Sequence, residues 1–200
     1  MSQPKAHIVD DDEAIRDALA WLLKSRGITS ATYDSAESFL AAWTPAMSGC
    51  IVLDMRMTGM SGLDCFDQLC ELASTLPVIF LTGHGDVPLA VATLKKGAFD
   101  FFEKPLNDNE LASRIQEAMK LNIDQRATSA AVDSIKSRIS SLTTRETQIM
   151  ALVLAGKFNK IIADELNISM RTVEVHRANI FEKMGVKTAV ELANLLKPGP

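Results

Sequence analysis

The chain has 200 residues, 47% of them hydrophobic and 23% charged, which is the composition of a folded protein with a sizeable core and excludes a disordered or fibrous chain. Its formal charge of −4 is uneven: residues 1–121 carry 10 basic and 17 acidic side chains and residues 122–200 carry 11 and 8, so an acidic front precedes a mildly basic tail suited to a polyanion. Apolar runs fall far short of the ~20 residues of a membrane span, residues 1–5 lack a signal-peptide core, and Cys50, Cys65 and Cys70 lack CxxC spacing or a nearby histidine. The expectations are a cytoplasmic chain with no membrane partner, no disulfide framework and no zinc site.

From Ala6 onward, short apolar runs alternate with longer amphipathic ones, the pattern of a parallel sheet covered by helices on both faces. Strands are predicted at Ala6–Asp10, Ile28–Asp34, Gly49–Asp54, Val78–Thr82 and Phe99–Lys104. Helices are predicted at Glu13–Arg26, Ser35–Trp43, Gly62–Ala73, Val87–Lys96 and Asp108–Leu121, with Ile15, Ala18, Leu19 and Leu22 illustrating the helical spacing. Five βα units then fill residues 1–121. Residues 122–141 read as a helical linker, with a sparse apolar stripe at Val132, Ile135, Ile139 and Leu142 that is expected to pack within the chain.

Residues 142–200 read as a small helical domain. Thr143 with Glu146 and Thr188 with Glu191 have capping-box spacing, and Ser169 is a third candidate cap. Helices are predicted at Arg145–Ala155, Lys160–Leu166, Arg171–Met184 and Ala189–Leu196. The short Asn167-Ile168-Ser169 break between the middle pair has the form of a helix-turn-helix, with Asn tolerating the left-handed turn.

Ligands of open α/β sheets bind outside the carboxyl ends of the strands. Asp10 and Asp11 follow the first predicted strand, Asp54 closes the third, Thr82 the fourth and Lys104 the fifth, so all converge on one rim. A lone Asp at a strand end commonly caps the next helix, a role that Asp12 and Glu13 fill here; the combination is far more specific. Three gathered carboxylates repel by roughly 4 kcal/mol per pair at about 4 Å and an effective dielectric near 20, so a cation must offset them. Oxygen-only ligands in an open site suit Mg²⁺, and Lys104 supplies a second positive charge. A carboxylate beside Mg²⁺, a lysine and a hydroxyl can accept a phosphoryl group. Asp54, at the end of the central apolar strand, is the expected nucleophile, with Asp10 and Asp11 placed to hold the ion and Thr82 and Lys104 to bind phosphoryl oxygens.

The motifs His7-Ile8-Val9-Asp10-Asp11-Asp12, Leu53-Asp54-Met55-Arg56-Met57, Met60-Ser61-Gly62, Leu81-Thr82-Gly83-His84-Gly85-Asp86 and Asp100-Phe101-Phe102-Glu103-Lys104-Pro105 resemble those of response-regulator receiver domains. Leu142-Thr143-Thr144-Arg145-Glu146 and Thr172-Val173-Glu174-Val175-His176-Arg177 resemble a LuxR-type helix-turn-helix, an order that resembles FixJ-type two-component regulators. The resemblance implies a flavodoxin-like, doubly wound α/β receiver. It also implies a phosphoryl group received from a histidine kinase, and Mg²⁺ held by Asp11, Asp54 and the Arg56 carbonyl with Asp10 in support. It further implies a switch through Thr82 and Phe101, a cis Lys104-Pro105 bond, and a homodimer formed on phosphorylation through a surface including Val91, Lys95 and Asp100. No enzyme is implied beyond self-phosphorylation and slow autodephosphorylation. Thr58 departs from the family pattern, which usually has proline there.

On the predicted recognition helix, Val173, Ile180 and Met184 share an inward face with Phe181 beside it, leaving Glu174, Val175, Ala178 and Glu182 for the major groove of double-stranded DNA. Glu174 can accept from a cytosine amine, and Val175 and Ala178 can touch a thymine methyl. Arg171, Thr172, Arg177, Asn179, Lys183, Asn159 and Lys160 are candidates for phosphates, and His176 for a structural or phosphate-facing role. RNA polymerase is a further candidate partner. An aspartate-nucleophile phosphatase needs an acid two residues after the nucleophile, where Arg56 stands. The alternative reading is a DNA-binding regulator whose receiver is structural and needs no phosphorylation.

Overall fold

In a computed structural model of the chain, residues 3–83 and 87–197 are described; the His84-Gly85-Asp86 part of the fourth motif lies outside them. The chain divides into two compact units, residues 1–126 and 127–200.

The first unit alternates β1 (Lys5–Val9), α1 (Glu13–Ser25), β2 (Ser30–Tyr33), α2 (Ala36–Ala42), β3 (Gly49–Asp54), α3 (Gly62–Glu71), β4 (Val78–Thr82), α4 (Val87–Lys95), β5 (Asp100–Glu103) and the first part of α5 (Asp108–Ser140), whose end belongs to the second unit. The five strands form one parallel sheet in the order β2-β1-β3-β4-β5. Its central strand β3 is buried along its whole length, and alternate side chains serve opposite faces. Ile51 and Leu53 pack with Phe39, Phe66 and Phe80, while Cys50 and Val52 pack with Leu19, Leu23, Leu111 and Ile115. Burial on two faces explains an unbroken apolar run where a one-faced strand would alternate. Each such side chain contributes about 1.5–3 kcal/mol on full burial. The chain order reverses between β1 and β3, opening the crevice between their carboxyl ends.

Local chemistry sets the ends. Asp12 caps α1 by accepting from the Ala14 N–H, and Ser35 and Ser61 cap α2 and α3. β2 is shorter than the predicted Ile28–Asp34 because the Ile28 N–H bonds back to the Leu23 carbonyl in the turn after α1. β5 likewise stops at Glu103, and Lys104 follows as the first residue of a cis peptide to Pro105. Gly62 is fixed by close approach, since a Cβ there would lie 2.1 Å from the Asp54 carbonyl oxygen.

The predicted linker has no break: α5 runs 33 residues, from Asp108 to Ser140, without an interior glycine or proline to end it. Past Leu121 it remains tied to the first unit. Asn122 is fully buried, accepts from the Gly49 N–H (3.0 Å) and donates to the Thr75 carbonyl (2.7 Å). Arg126 donates to the carbonyls of Pro45 and Met47. Of the predicted stripe, Ile139 and Leu142 pack into the core of the second unit, whereas Val132 is exposed.

The second unit adds α6 (Thr144–Leu154), α7 (Asn159–Leu166), α8 (Met170–Met184) and α9 (Ala189–Leu195). Thr143 and Glu146 form the predicted capping box. Thr188 caps α9, but Glu191 reaches the Lys187 N–H, one residue before the cap. Asn167 adopts the left-handed turn (φ 50°, ψ 54°) between α7 and α8, and Ser169 caps α8 by accepting from the Thr172 N–H. Val173, Ile180 and Met184 of α8 pack with Ile149, Val153 and Ile162.

Asn122→Ala leaves the Gly49 N–H and the Thr75 carbonyl without their partner, a loss of about 2 kcal/mol. Both tryptophans, Trp21 and Trp43, lie in the first unit, so urea unfolding followed by tryptophan fluorescence should show a lower midpoint. An unchanged midpoint would mean that Asn122 does not clamp the sheet.

Candidate functional site

The crevice between β1 and β3 gathers the predicted acids. Asp10 leaves β1 buried, Asp11 follows it exposed, and Asp54 ends β3 buried. Each offers a carboxylate oxygen, and these oxygens lie within 4.8 Å of one another. Lys104 brings its ammonium between two of them, 2.5 Å from Asp54 Oδ1 and 3.0 Å from Asp10 Oδ2. The remaining oxygens are also engaged: the Arg56 N–H donates to Asp54 Oδ2 (2.8 Å), and the Asp12 N–H donates to Asp10 Oδ1 (2.9 Å).

Burial pushes the Asp54 carboxyl up and the Asp10 charge adds to this, more than the bonds from Lys104 and Arg56 lower it. Burial works to lower the Lys104 ammonium, but its bonds to Asp54 and Asp10 raise it above the ordinary lysine value. The lysine therefore stays charged, and the acids remain short of positive charge. Three carboxylates with no histidine or cysteine among them form the donor set of a hard divalent cation that keeps some of its water, and the residues fit Mg²⁺.

Asp11 shows a feature that the sequence motifs do not carry. Thr58 donates to its Oδ2 twice, from the backbone N–H (2.8 Å) and from the hydroxyl (2.6 Å). These bonds, the hydroxyl's first, hold the Asp11 carboxyl below its ordinary value. The far end of the same loop is anchored by the Met60 N–H donating to Glu37 (2.9 Å). Thr58 was visible in the sequence only as a departure from the family pattern.

Thr82 is fully buried, and its hydroxyl donates to the Phe102 carbonyl at 3.3 Å. Here it is engaged with β5. Phe101 is half-buried and packs on the core layer holding Phe39 and Phe80. On the α4–β5 side, Val91 and Lys95 are exposed, whereas the Asp100 carboxylate accepts from Arg114 Nε at 2.6 Å.

The second candidate site divides in two. Arg171, Glu174, Val175, Ala178 and Asn179 are exposed on α8, and Lys160 is exposed on α7. Four other expected phosphate contacts are half-buried and engaged inside the unit. Arg177 donates to Asn159 Oδ1 (2.8 Å) and lies over the Phe181 ring, and the Thr172 hydroxyl pairs with Ser169. The Lys183 ammonium is 2.7 Å from the buried Glu146 carboxylate. His176 is half-buried, with Nδ1 enclosed and unbonded. The cap at Thr143 places Glu146 within reach of Lys183.

Among the described residues, no helix is long and apolar enough to cross a membrane. Residues 6–116 match the response regulator receiver domain family, and residues 140–196 match the luxR family of bacterial regulatory proteins. The chain is 48% identical over 191 residues to a C4-dicarboxylate transport transcriptional regulatory protein, DctR, of Rhodobacter capsulatus, covering 94% of this chain and 97% of that one. It is 41% identical over 199 residues to the transcriptional regulatory protein FixJ of Rhizobium meliloti, covering 100% and 98%. Among solved structures, the response regulator StyR aligns with a TM-score of 0.94 at 40% identity, over 98% of this chain and 99% of that one.

The bond from Lys183, followed by that from the Thr143 N–H, holds the Glu146 carboxyl below its ordinary value. Folding therefore favours the carboxylate, and this contribution, complete above about pH 5, is lost as pH falls through the folded value. In calorimetry, the second unit of the wild type should lose stability as pH falls below about 5, and Glu146→Gln should lower its midpoint at pH 7 and flatten that acid limb. An unchanged limb would remove Glu146 from the unit's acid sensitivity.

Proposed function

The chain belongs to the two-component response regulators that join a receiver domain to a LuxR-type DNA-binding domain and act as transcriptional regulators, and on that premise we propose that Asp54 is its phosphoacceptor. The observation that carries this is the Lys104 ammonium bridging Asp54 and Asp10 beside Asp11. An Asp54 carboxylate oxygen forms a bond to phosphorus as the bond from phosphorus to an imidazole nitrogen of the kinase breaks, and the imidazole recovers a proton. Asp10, Asp11, Asp54 and the Arg56 carbonyl would hold Mg²⁺, which when bound supplies positive charge to the phosphoryl oxygens. Lys104 can exchange its carboxylate partners for a phosphoryl oxygen without leaving the rim. Leaving the long bond to Phe102 costs Thr82 about 1 kcal/mol, so its hydroxyl can turn to the phosphoryl group and free space for Phe101 to follow.

The kinase must bring its phosphohistidine to the Lys104 side of the crevice. A groove of about 520 Å³ lies there, lined by Ile15, Ala18, Trp21, Leu22, Pro105 and Leu106, with Trp21 73% exposed. Residues 122–141, the helical connection, lead from the receiver to the DNA-binding domain. The exposed row Glu174, Val175 and Ala178 reads base edges, Arg171, Asn179 and Lys160 bind phosphates, and Arg177, Asn159, Thr172 and His176 support that surface from within. A tail charge of only +3 gives one copy weak attraction for DNA, so a homodimer on phosphorylation, meeting through the side of Val91 and Lys95, supplies the second half-site.

Intact mass after incubation with a small phosphoryl donor tests the acceptor. Wild type should gain one phosphoryl group with Mg²⁺ and none after chelation, and Asp54→Asn should gain none. Failure of the wild type under conditions that label another receiver would favour the reading in which the receiver is structural.

DNA selected in vitro with the phosphorylated chain tests the tail. Arg171→Ala should weaken binding to all sequences alike and reduce the salt slope by about 1, whereas Glu174→Ala should relax preference at one base pair at a cost of about 1–3 kcal/mol. Lys183→Met should leave the slope unchanged; a slope reduced by about 1 would return Lys183 to the phosphate contacts.

A further inference from the structure

Within the proposed Mg²⁺ site, Asp10 and Asp54 are buried and held by Lys104, whereas Asp11 is exposed. An exposed aspartate samples several rotamers, and a cation that recruits it must order it first. Here Thr58 makes that selection in advance. Its N–H and hydroxyl both donate to Oδ2 of Asp11, filling the acceptor positions of that oxygen and leaving Oδ1 as the one Asp11 can bring to an ion. Thr58 can hold Asp11 because its own loop is held. Asp54 Oδ2 accepts from the Arg56 N–H at one end, Glu37 accepts from the Met60 N–H at the other, and Gly62 sits against the Asp54 carbonyl.

We propose that Thr58 is a positioning residue for the divalent-cation site, fixing the Asp11 carboxylate so that the ion is bound more tightly than Asp11 alone would allow. Hydrogen bonds to a ligating carboxylate typically contribute about 10–100-fold in metal affinity. The effect is specific to the side chain at this position. Serine retains both donors, valine retains the N–H and replaces the hydroxyl with a methyl of similar size, and proline offers neither donor. Because Thr58 reaches the ion only through Asp11, its contribution is to cation affinity and not to the acceptor chemistry at Asp54.

The proposal rests on the reading of Asp10, Asp11 and Asp54 as a Mg²⁺ site, and the experiment separates the two. Mg²⁺ is titrated into the full chain by calorimetry at pH 7 for wild type, Thr58→Ser, Thr58→Val and Thr58→Pro, with thermal unfolding recorded for each. Serine should bind within about twofold of wild type, valine about 3–10-fold more weakly, and proline more weakly still, towards the 10–100-fold limit. Rescue by serine with loss in valine is a pattern that general loosening of the loop does not produce. If wild type and valine bind alike, or valine binds more tightly, Thr58 does not preorganise Asp11 and the proposal falls while the cation site stands. If wild type binds no Mg²⁺ at millimolar concentration, the reading of the site fails and takes the proposal with it. Should proline melt below the working temperature, the comparison of serine with valine decides.

Discussion

The Lys104 ammonium between Asp10 and Asp54 is the interaction on which the first unit's chemistry depends. Two buried carboxylates from adjacent strands repel, and removing their shared cation would leave charges in a low-dielectric crevice, a cost of about 3–5 kcal/mol for a broken buried pair. Lys104 reaches them from the turn after β5, two strands away from β3. One amine therefore couples three of the five strand ends. It also leaves the three acids under-neutralised, which is the electrostatic state suited to taking up a divalent cation and a phosphoryl group.

The surrounding elements are arranged to keep that imbalance in place. β3 is buried on both faces, so Asp54 is carried by a strand packed along its whole length. The loop after it is fixed by Arg56, Thr58 and Met60 and by the approach of Gly62. The Thr82 hydroxyl, by contrast, makes a long bond to the Phe102 carbonyl, next to half-buried Phe101. For the acceptor role proposed for Asp54, this arrangement would set the new charge between the fixed loop on one side and the Thr82 hydroxyl on the other.

The second unit solves a different problem, that of presenting one helix outward from a small core. α8 buries Val173, Ile180 and Met184 and exposes Glu174, Val175 and Ala178. Its flanks are stapled by Lys183 to Glu146 and by Arg177 to Asn159. At its end, Arg138 of α5 donates to the Met184 carbonyl at 2.7 Å. Lys183, Arg177 and Arg138 thus satisfy a carboxylate and two carbonyl oxygens within the unit.

The alternation of short apolar runs with amphipathic ones determined the parallel sheet, and the positions of Asp10, Asp11, Asp54, Thr82 and Lys104 at strand ends were readable because strand direction alone brings such ends to one rim. The cap at Thr143, the left-handed turn at Asn167 and the inward face of α8 were legible for a different reason: each depends on residues within a few positions of one another. Contacts between distant residues that strand direction does not dictate were not legible. The bonds of Thr58 to Asp11 span 47 positions, and those of Asn122 to Gly49 and Thr75 span 73 and 47. The pairing of Lys183 with Glu146 spans 37. Periodicity assigns a side chain to a face of its own helix, but which partner waits on that face is decided only when the other elements pack against it.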